Sequence, residues 1–181
     1  MPLDFKMRVI SAICLFVLSL WPTPGSGYAA ETDEYTLKLA FIYNFAKFVE
    51  WPDSDTKAPI VFCILGDDPF GNRIVNIEER MVGERKILVR RNPGPEAVRQ
   101  CHILFISSSE KQRLEQSLRE VKGLSILTIS DIPDFTRAGG MIGFKVSNDR
   151  IRFQVNLASA RSSRLEISSK LLKLAESVRD Q

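Results

Sequence analysis

Residues 59–69 have the sequence PIVFCILGDDP, and this stretch decides the fold class. Residues 59–65 are almost wholly apolar, which is typical of a short strand covered on both faces of a sheet. The residues that follow indicate the start of a helix, because Asp68 is a preferred N-cap and Pro69 suits the first helical position. A buried strand followed directly by a helix is the repeating unit of α/β proteins.

The same alternation of strands and helices continues on both sides of this stretch. Further strands are predicted over residues 86–89, 103–106 and 125–129. Helices are predicted over residues 35–51, 68–81 and 107–121, the last with the capping-box spacing of Ser107 and Glu110. The pattern therefore predicts a largely parallel sheet with flanking helices.

The last third of the chain has a different pattern. Residues 141–146 and 150–155 alternate apolar and polar side chains around a polar connection, which predicts an antiparallel β-hairpin at an edge of the sheet. Asn156 suits the cap of a short helix, and apolar residues at helical spacing between positions 167 and 178 predict a final amphipathic helix. The expected architecture is a single α/β domain, closed by a C-terminal antiparallel hairpin and a final helix.

Composition excludes several classes of protein. The chain has 181 residues, of which 44% are apolar and 26% charged, so it is neither disordered, collagen-like nor a polytopic membrane protein. Its net charge of +3 is too small to indicate nucleic-acid binding, and its arginines are scattered rather than clustered.

The first 29 residues have the three parts of a secretory signal: a basic start, an apolar run and an end rich in helix-breaking and small residues. The apolar run, residues 9–21, is shorter than the roughly 20 residues that a membrane span needs. Gly27 and Ala29 occupy the positions where small residues precede a cleavage site. We therefore expect cleavage after Ala29, export, and a mature α/β domain over residues 30–181.

Removal of the signal segment takes Cys14 with it and leaves Cys63 and Cys101. An even pair of cysteines in an exported chain is typical of one disulfide. The alternative is two buried free thiols, which pack as small apolar side chains.

Polar residues follow three of the predicted strands, at the end of the sheet where ligands bind in open α/β folds. They are Asp67, Asp68, Ser107 and Asp131. One interpretation is a crevice for a small ligand or a hard cation, which would make the protein a small-ligand sensor. The other is local structure, since Asp68 and Ser107 also suit helix caps and Asp131 leads into a turn.

Catalytic signatures are sparse. His102 is the only histidine, and no nucleophile elbow, zinc-binding helix or phosphate-binding loop accompanies it. We therefore predict a structural role for His102 and a protein that is not an enzyme and uses no cofactor. Catalysis by the carboxylates of Asp67, Asp68 and Asp131 is the enzymatic alternative.

Two surfaces are candidates for binding a protein partner. The first predicted helix is apolar over about twice the arc that one packed face requires, so it lies either deep in the core or against a second protein. Tyr43 and Trp51 extend that surface. On the hairpin, the residues expected to face away from the core are Met141, Lys145, Arg152 and Gln154. Such a mixed surface at a sheet edge favours recognition by another chain, although plain alternation along an exposed hairpin produces the same pattern.

Three parts of the sequence resemble the YfiR family. They are residues 34–52 (EYTLKLAFIYNFAKFVEWP), residues 139–144 with 150–157 (GGMIGF and RIRFQVNL), and residues 165–172 (LEISSKLL). The resemblance covers essentially the whole mature chain in the same order.

The resemblance implies a periplasmic α/β protein, often dimeric and without catalytic activity. It also implies the partner, which is the periplasmic part of an inner-membrane diguanylate cyclase; binding restrains cyclic di-GMP synthesis and biofilm formation, and the protein meets the membrane only through this partner. A disulfide between Cys63 and Cys101 is implied as well. The chain lacks the second cysteine pair that members often carry, and it has Gln154 where they commonly have Glu.

Overall fold

An eight-stranded sheet is the central element of the computed structural model, which describes residues 27–52, 57–148 and 150–180 and their side chains from residue 34 onward. Contacts divide the chain into two units, Met1–Glu31 and Thr32–Gln181, and the sheet belongs to the second. Residues 1–26 of the expected signal peptide lie outside the described residues, so its cleavage stays a prediction.

Ten strands form within the described residues. They are β1 (Val49–Glu50), β2 (Ile60–Leu65), β3 (Met81–Val82), β4 (Arg85–Arg91), β5 (Ile103–Ile106), β6 (Leu127–Ser130), β7 (Ile142–Ser147), β8 (Arg150–Asn156), β9 (Glu166–Ile167) and β10 (Ser177–Arg179). The order in the main sheet is β10-β8-β7-β6-β5-β2-β4-β3, and β1 pairs with β9 separately. Neighbouring strands of the main sheet are parallel except β3–β4 and β7–β8, which are antiparallel.

Five α-helices flank the sheet in the described part of the chain. They are α1 (Gly27–Phe48), α2 (Pro95–Val98), α3 (Leu114–Glu120), α4 (Leu157–Ser162) and α5 (Ser169–Leu172). Two short 3₁₀ helices, Gly71–Asn76 and Ser108–Arg113, lie between strands. None of the described helices combines the length and the apolarity that crossing a bilayer requires.

Each face of the sheet carries its own apolar core. On one face, α1 packs its buried residues Leu39, Ile42 and Phe45 against strand residues that include Phe105 and Phe153. On the other face, α2 and α3 contribute to a smaller core; its members include Val98, Leu114, Val61, Leu104 and Ile106. Full burial of one such large side chain stabilises the fold by about 1.5–3 kcal/mol, so these two layers hold the sheet between them.

The architecture predicted from the sequence is confirmed. The sheet is mostly parallel, helices cover both faces, and the antiparallel hairpin β7–β8 follows the parallel strands. The predicted strand over residues 59–65 is β2, and the strand over 103–106 is β5 without a shift.

The helix predicted over residues 68–81 is wrong. This segment forms one short 3₁₀ helix and then β3, which turns back to pair with β4. Gly71 at φ 51° and Glu79 at φ 62° both leave the helical region, so a continuous helix is interrupted at each end. The helix predicted over residues 107–121 also begins as a 3₁₀ helix, and the Ser107 side chain does not cap it.

The final helix predicted between residues 167 and 178 is reduced to α5. After Leu172 the chain leaves the helix, and β10 adds to the sheet in parallel beside β8. The unpaired backbone groups along β8 explain this outcome, because a strand edge bonds an extended segment readily. The prediction that the hairpin itself forms the edge is therefore also wrong, since β10 is the edge strand.

Candidate functional site

A buried ion cluster joins α1 to the end of β6. The side chain of Lys38 is only 3% exposed, and its Nζ lies 2.6 Å from Asp131 Oδ2 and 2.5 Å from Glu34 Oε1. The hydroxyl of Tyr35 also donates to Asp131 Oδ2, over 2.9 Å. These three helix residues reach one place because residues three or four positions apart share a helix face. A lysine is rarely this buried unless it is paired, and here it has two carboxylates.

One of the two carboxyl oxygens of Asp131 makes no hydrogen bond within the described residues. Lys38 and Tyr35 both approach Oδ2, whereas Oδ1 is buried without a hydrogen-bond partner in the described part of the chain. A buried polar atom without a partner costs free energy, and nearly all such atoms in proteins are paired. The two ion pairs of the cluster therefore leave Asp131 Oδ1 able to accept a further hydrogen bond.

A cavity of about 590 Å³ adjoins this cluster. Its lining includes Glu34, Lys38 and Asp131 from the ion cluster, Ser108 after β5, and Lys145 and Gln154 from the hairpin. The volume is in the range of small-molecule sites in proteins. The cavity thus connects the carboxyl end of β6 with the outer face of the hairpin.

The four polar residues expected in one crevice are divided among separate places. Only Asp131 lines the cavity. Asp68 accepts hydrogen bonds from Arg91 Nε over 2.7 Å and from the backbone N–H of Phe70 over 2.8 Å. Ser107 is only 3% exposed. Of the two interpretations, these contacts favour local structure for Asp68, and a ligand crevice shared by the four residues stays a prediction.

Asp67 stands apart from the cavity on an exposed turn after β2. Its backbone N–H donates to Ser109 Oγ over 2.9 Å, and its side chain is exposed to solvent.

The hairpin presents a basic face to solvent. Lys145 and Arg152 lie directly opposite each other in the β7–β8 register, and both are exposed. The Nζ of Lys145 lies 3.5 Å from Glu176 Oε2, while Arg152 has no ion-pair partner among the described residues. Like charges facing each other across two strands destabilise a sheet unless something compensates them.

One residue expected on this face is elsewhere. Gln154 is half-buried on the outer face, as the alternation predicts, but Met141 is only 4% exposed. Met141 precedes β7, so the two-residue alternation of the strand does not apply to it, and it packs in the larger core. Its prediction as a solvent-facing contact residue is wrong.

The apolar surface of α1 is used within the chain itself. Tyr43 donates its hydroxyl hydrogen to the carbonyl of Met81 over 3.0 Å and has Lys47 and Arg80 against its ring. Trp51 donates its indole N–H to the carbonyl of His102 over 3.0 Å. Of the two alternatives for this helix, core and interface, the described contacts favour the core.

His102 belongs to a compact polar arrangement beside β2. Its Nε2 lies 2.7 Å from Arg85 Nη2, and its Nδ1 lies 3.2 Å from the backbone N–H of Val61. Both neighbours are donors, so a doubly protonated ring would find no acceptor. Burial, and secondly the charge of Arg85, lower the pKa of His102 from 6.5 to about 4.

Cys63 and Cys101 are bonded to each other. Cys63, in the middle of β2, and Cys101, just before β5, form a disulfide with their Cα atoms 5.9 Å apart. Both are buried in the smaller core, at 0% and 4% exposure. Of the two alternatives for this pair, the structure shows the bridge. Elsewhere in the described residues, no group of three or more His, Cys, Asp or Glu side chains could hold a metal ion.

A sequence profile of the YfiR/HmsC-like family matches residues 35–176, which is well over half of the chain. The chain belongs to the YfiR/HmsC-like family. The matched region contains β1 to β9, the disulfide and the basic face of the hairpin, and all of the ion cluster except Glu34.

A solved structure supports the fold of this YfiR/HmsC-like chain. It is the crystal structure of a conserved domain protein from Vibrio cholerae O1 biovar El Tor str. N16961, with a TM-score of 0.53 and 7% sequence identity. The alignment covers 80% of this chain and 60% of that one, so the chain spans about 60% of the length of that protein. At this identity the likeness concerns the fold alone.

The helix side of the ion cluster is not evident from the sequence of this family member. Glu34, Tyr35 and Lys38 do not stand out as site residues, because a lysine in an amphipathic helix is ordinarily solvated. One signal is present: Lys38 is a charged residue immediately before Leu39, on the apolar arc of α1. Its partner Asp131 could not be inferred, because 93 residues separate the two.

Proposed function

We propose that this protein is a non-catalytic periplasmic regulator that binds the periplasmic part of an inner-membrane diguanylate cyclase and represses it. Repression lowers cyclic di-GMP and with it biofilm formation. Membership of the YfiR/HmsC-like family supports a regulatory role of this kind. The protein reaches the membrane through this partner, after export by its signal peptide.

The observation that carries the proposal on the structural side is the outer face of the hairpin. Lys145 and Arg152 are paired in register and exposed on the outer face of the hairpin, while α1 packs against Phe144 and Phe153 on its inner face, and Gln154 lies beside the two cations. Lys145 has Glu176 near it, whereas Arg152 has no ion-pair partner among the described residues, so a partner that supplies an acidic group here pairs with Arg152 and forms charge-assisted hydrogen bonds. The face therefore fits an acidic surface on the cyclase.

The competing surface on α1 is less suited to this role. Tyr43 and Trp51 already donate hydrogen bonds to backbone carbonyls of their own chain. Their donors would bond a partner only after these bonds break, which costs free energy, whereas Arg152 on the hairpin has no ion pair to give up among the described residues.

Capture of the partner by a variant of this face tests the proposal. Tagged protein is expressed in the periplasm and crosslinked in cells, and the retained membrane proteins are identified by mass spectrometry. We expect a protein with a diguanylate cyclase domain. Arg152→Glu combined with Gln154→Ala should weaken this complex by about 1–3 kcal/mol, which is roughly 5- to 150-fold in affinity.

A matched double variant on another surface is the control. Gln116 and Arg119 lie on exposed positions of α3, far along the sequence from the hairpin. Arg119→Glu with Gln116→Ala makes the same chemical changes there and should leave capture unchanged. If both double variants capture the cyclase as the wild type does, with melting temperatures unaltered, the hairpin face is not the interface.

A further inference from the structure

The ion cluster beside the cavity at the end of β6 has unequal numbers of positive and negative charges. Lys38 lies between Glu34 and Asp131, and one cation neutralises only one of the two carboxylates. The other cations that line the cavity do not neutralise the second carboxylate. Arg137 is paired with Asp134 over 2.9 Å. Lys145 lies 3.5 Å from Glu176, which is not a lining residue. Among the side chains that the structure describes, one negative charge is therefore left uncompensated beside the cavity.

The same place lacks a hydrogen-bond donor. The side chain of Asp131 is 11% exposed, and its Oδ1 is buried with no partner among the described residues. A group that is both positively charged and a hydrogen-bond donor suits this place, because it compensates a carboxylate charge and can bond a carboxylate oxygen. A metal ion fits less well, since Lys38 occupies the position between the two carboxylates.

We propose that this cavity binds an ammonium or guanidinium group, which donates N–H hydrogen bonds to Asp131 and Glu34. Phe144 and Val146 also line the cavity and provide an apolar wall for the methylene chain that carries such a group. The group has two sources with the same chemistry. One is a free small amine, and the other is a lysine or arginine side chain of a protein partner.

The cavity extends to the hairpin, so a bound group would also affect residues of the hairpin. Lys145 and Gln154 line the cavity and lie on the outer face of β7–β8. A cation bound beside Glu34 and Asp131 therefore changes the electrostatic potential next to the face that we assign to the cyclase. Only the partner-derived source rests on the proposed function; binding of a free amine does not.

Calorimetric titration of the purified protein with putrescine and with agmatine tests the first source. We expect saturable binding that Asp131→Asn weakens at least tenfold. Since Asp131→Asn also removes the partner of Lys38, Glu34→Gln is the second variant; Glu34 is 31% exposed and its loss leaves the Lys38–Asp131 contact in place. Asp134→Asn is the matched control, because Asp134 lines the cavity but is already paired with Arg137.

The second source is tested with the same variants in the crosslinking capture of the cyclase. If neither amine binds, the proposal requires that Glu34→Gln lower capture at least fivefold while Asp134→Asn leaves it unchanged. The proposal is overturned if the amines do not bind and capture is insensitive to Glu34→Gln, or if the amines bind equally to the wild type and to both cavity variants. Amine binding with no captured cyclase would reject the proposed function and support the cavity.

Discussion

His102 is the residue whose ionisation most clearly depends on folding. In the folded chain its pKa is lowered from 6.5 to about 4, first by burial and then by the charge of Arg85. Between these two pH values the unfolded chain binds a proton at His102 and the folded chain does not. The free energy of unfolding therefore falls as the pH is lowered from 6.5 to 4, and this contribution changes no further below pH 4.

We predict that His102→Gln flattens this dependence. Because the ring is only part-buried, the wild type should lose about 2 kcal/mol more than the variant between pH 6.5 and pH 4. Urea unfolding at pH 4, 5, 6.5 and 7.5 measures the difference. Parallel curves for the two proteins across this range would show that His102 is not the group responsible.

The disulfide is the second contribution that depends on single residues. Cys63 and Cys101 are 38 residues apart, and closing a loop of this length stabilises the fold by about 3–4 kcal/mol on the chain-entropy model. We predict that Cys63→Ala combined with Cys101→Ala lowers the free energy of unfolding by about 2–5 kcal/mol. Urea unfolding of the variant, the oxidised wild type and the reduced wild type measures this loss.

The reduced wild type is the internal control for the cysteine variant. Reduction should destabilise the wild type and leave the variant unchanged. Equal stability of all three forms, or two free thiols in unreduced peptides of protein from the periplasm, would contradict the bridge.

At the scale of elements, β10 determines which edge of the sheet is exposed. Its three residues are all exposed, and it is held mainly by backbone pairing with β8. We predict that a chain ending at Glu176 remains folded, because no core residue is removed, but associates with itself through the uncovered edge of β8. Light scattering during gel filtration should detect dimers or larger species, with a melting temperature lower by only a few degrees.

A chain ending at Arg179 is the control for this truncation. It keeps β10 but removes Asp180, which pairs with Arg161, so it separates loss of the strand from loss of the ion pair. A monomeric protein after truncation at Glu176 would mean that β10 does not protect the edge.

The strands were predictable from the sequence, and the irregular connections were not. Residues 59–65 and 103–106 are apolar throughout, and a strand buried on both faces typically gives such short runs. Residues 68–81 carry good helix signals at their start, but pairing of β3 with β4 overrides them. Val178 has helical spacing from Leu171 and Leu174, yet its backbone pairs with Val155 because an open strand edge lies within reach.

The candidate site shows the same limit. Asp131 was predictable as a polar residue after a parallel strand, and Lys145 and Arg152 as outward residues of a hairpin. The contact of Lys38 with Asp131 depends on where α1 crosses the end of β6, and sequence patterns carry no information on such a crossing.

At the scale of the whole molecule, the fold separates stability from binding. The two cores hold the sheet, including Phe144 and Phe153 on the inner face of the hairpin, while the outer face of the hairpin exposes Lys145 and Arg152 and adjoins the cavity. Substitutions on the outer face should therefore change partner binding with little effect on folding. Variants of this face can therefore test binding without unfolding the protein.

Intracellular cyclic di-GMP in a deletion strain tests the central claim most directly. The account predicts that deletion raises cyclic di-GMP and surface attachment, that the wild-type gene restores both, and that the Arg152→Glu, Gln154→Ala variant does not although it accumulates normally. Removing the captured cyclase as well should return cyclic di-GMP to the starting level. Unchanged cyclic di-GMP after deletion, in cells that express the cyclase, would contradict the account.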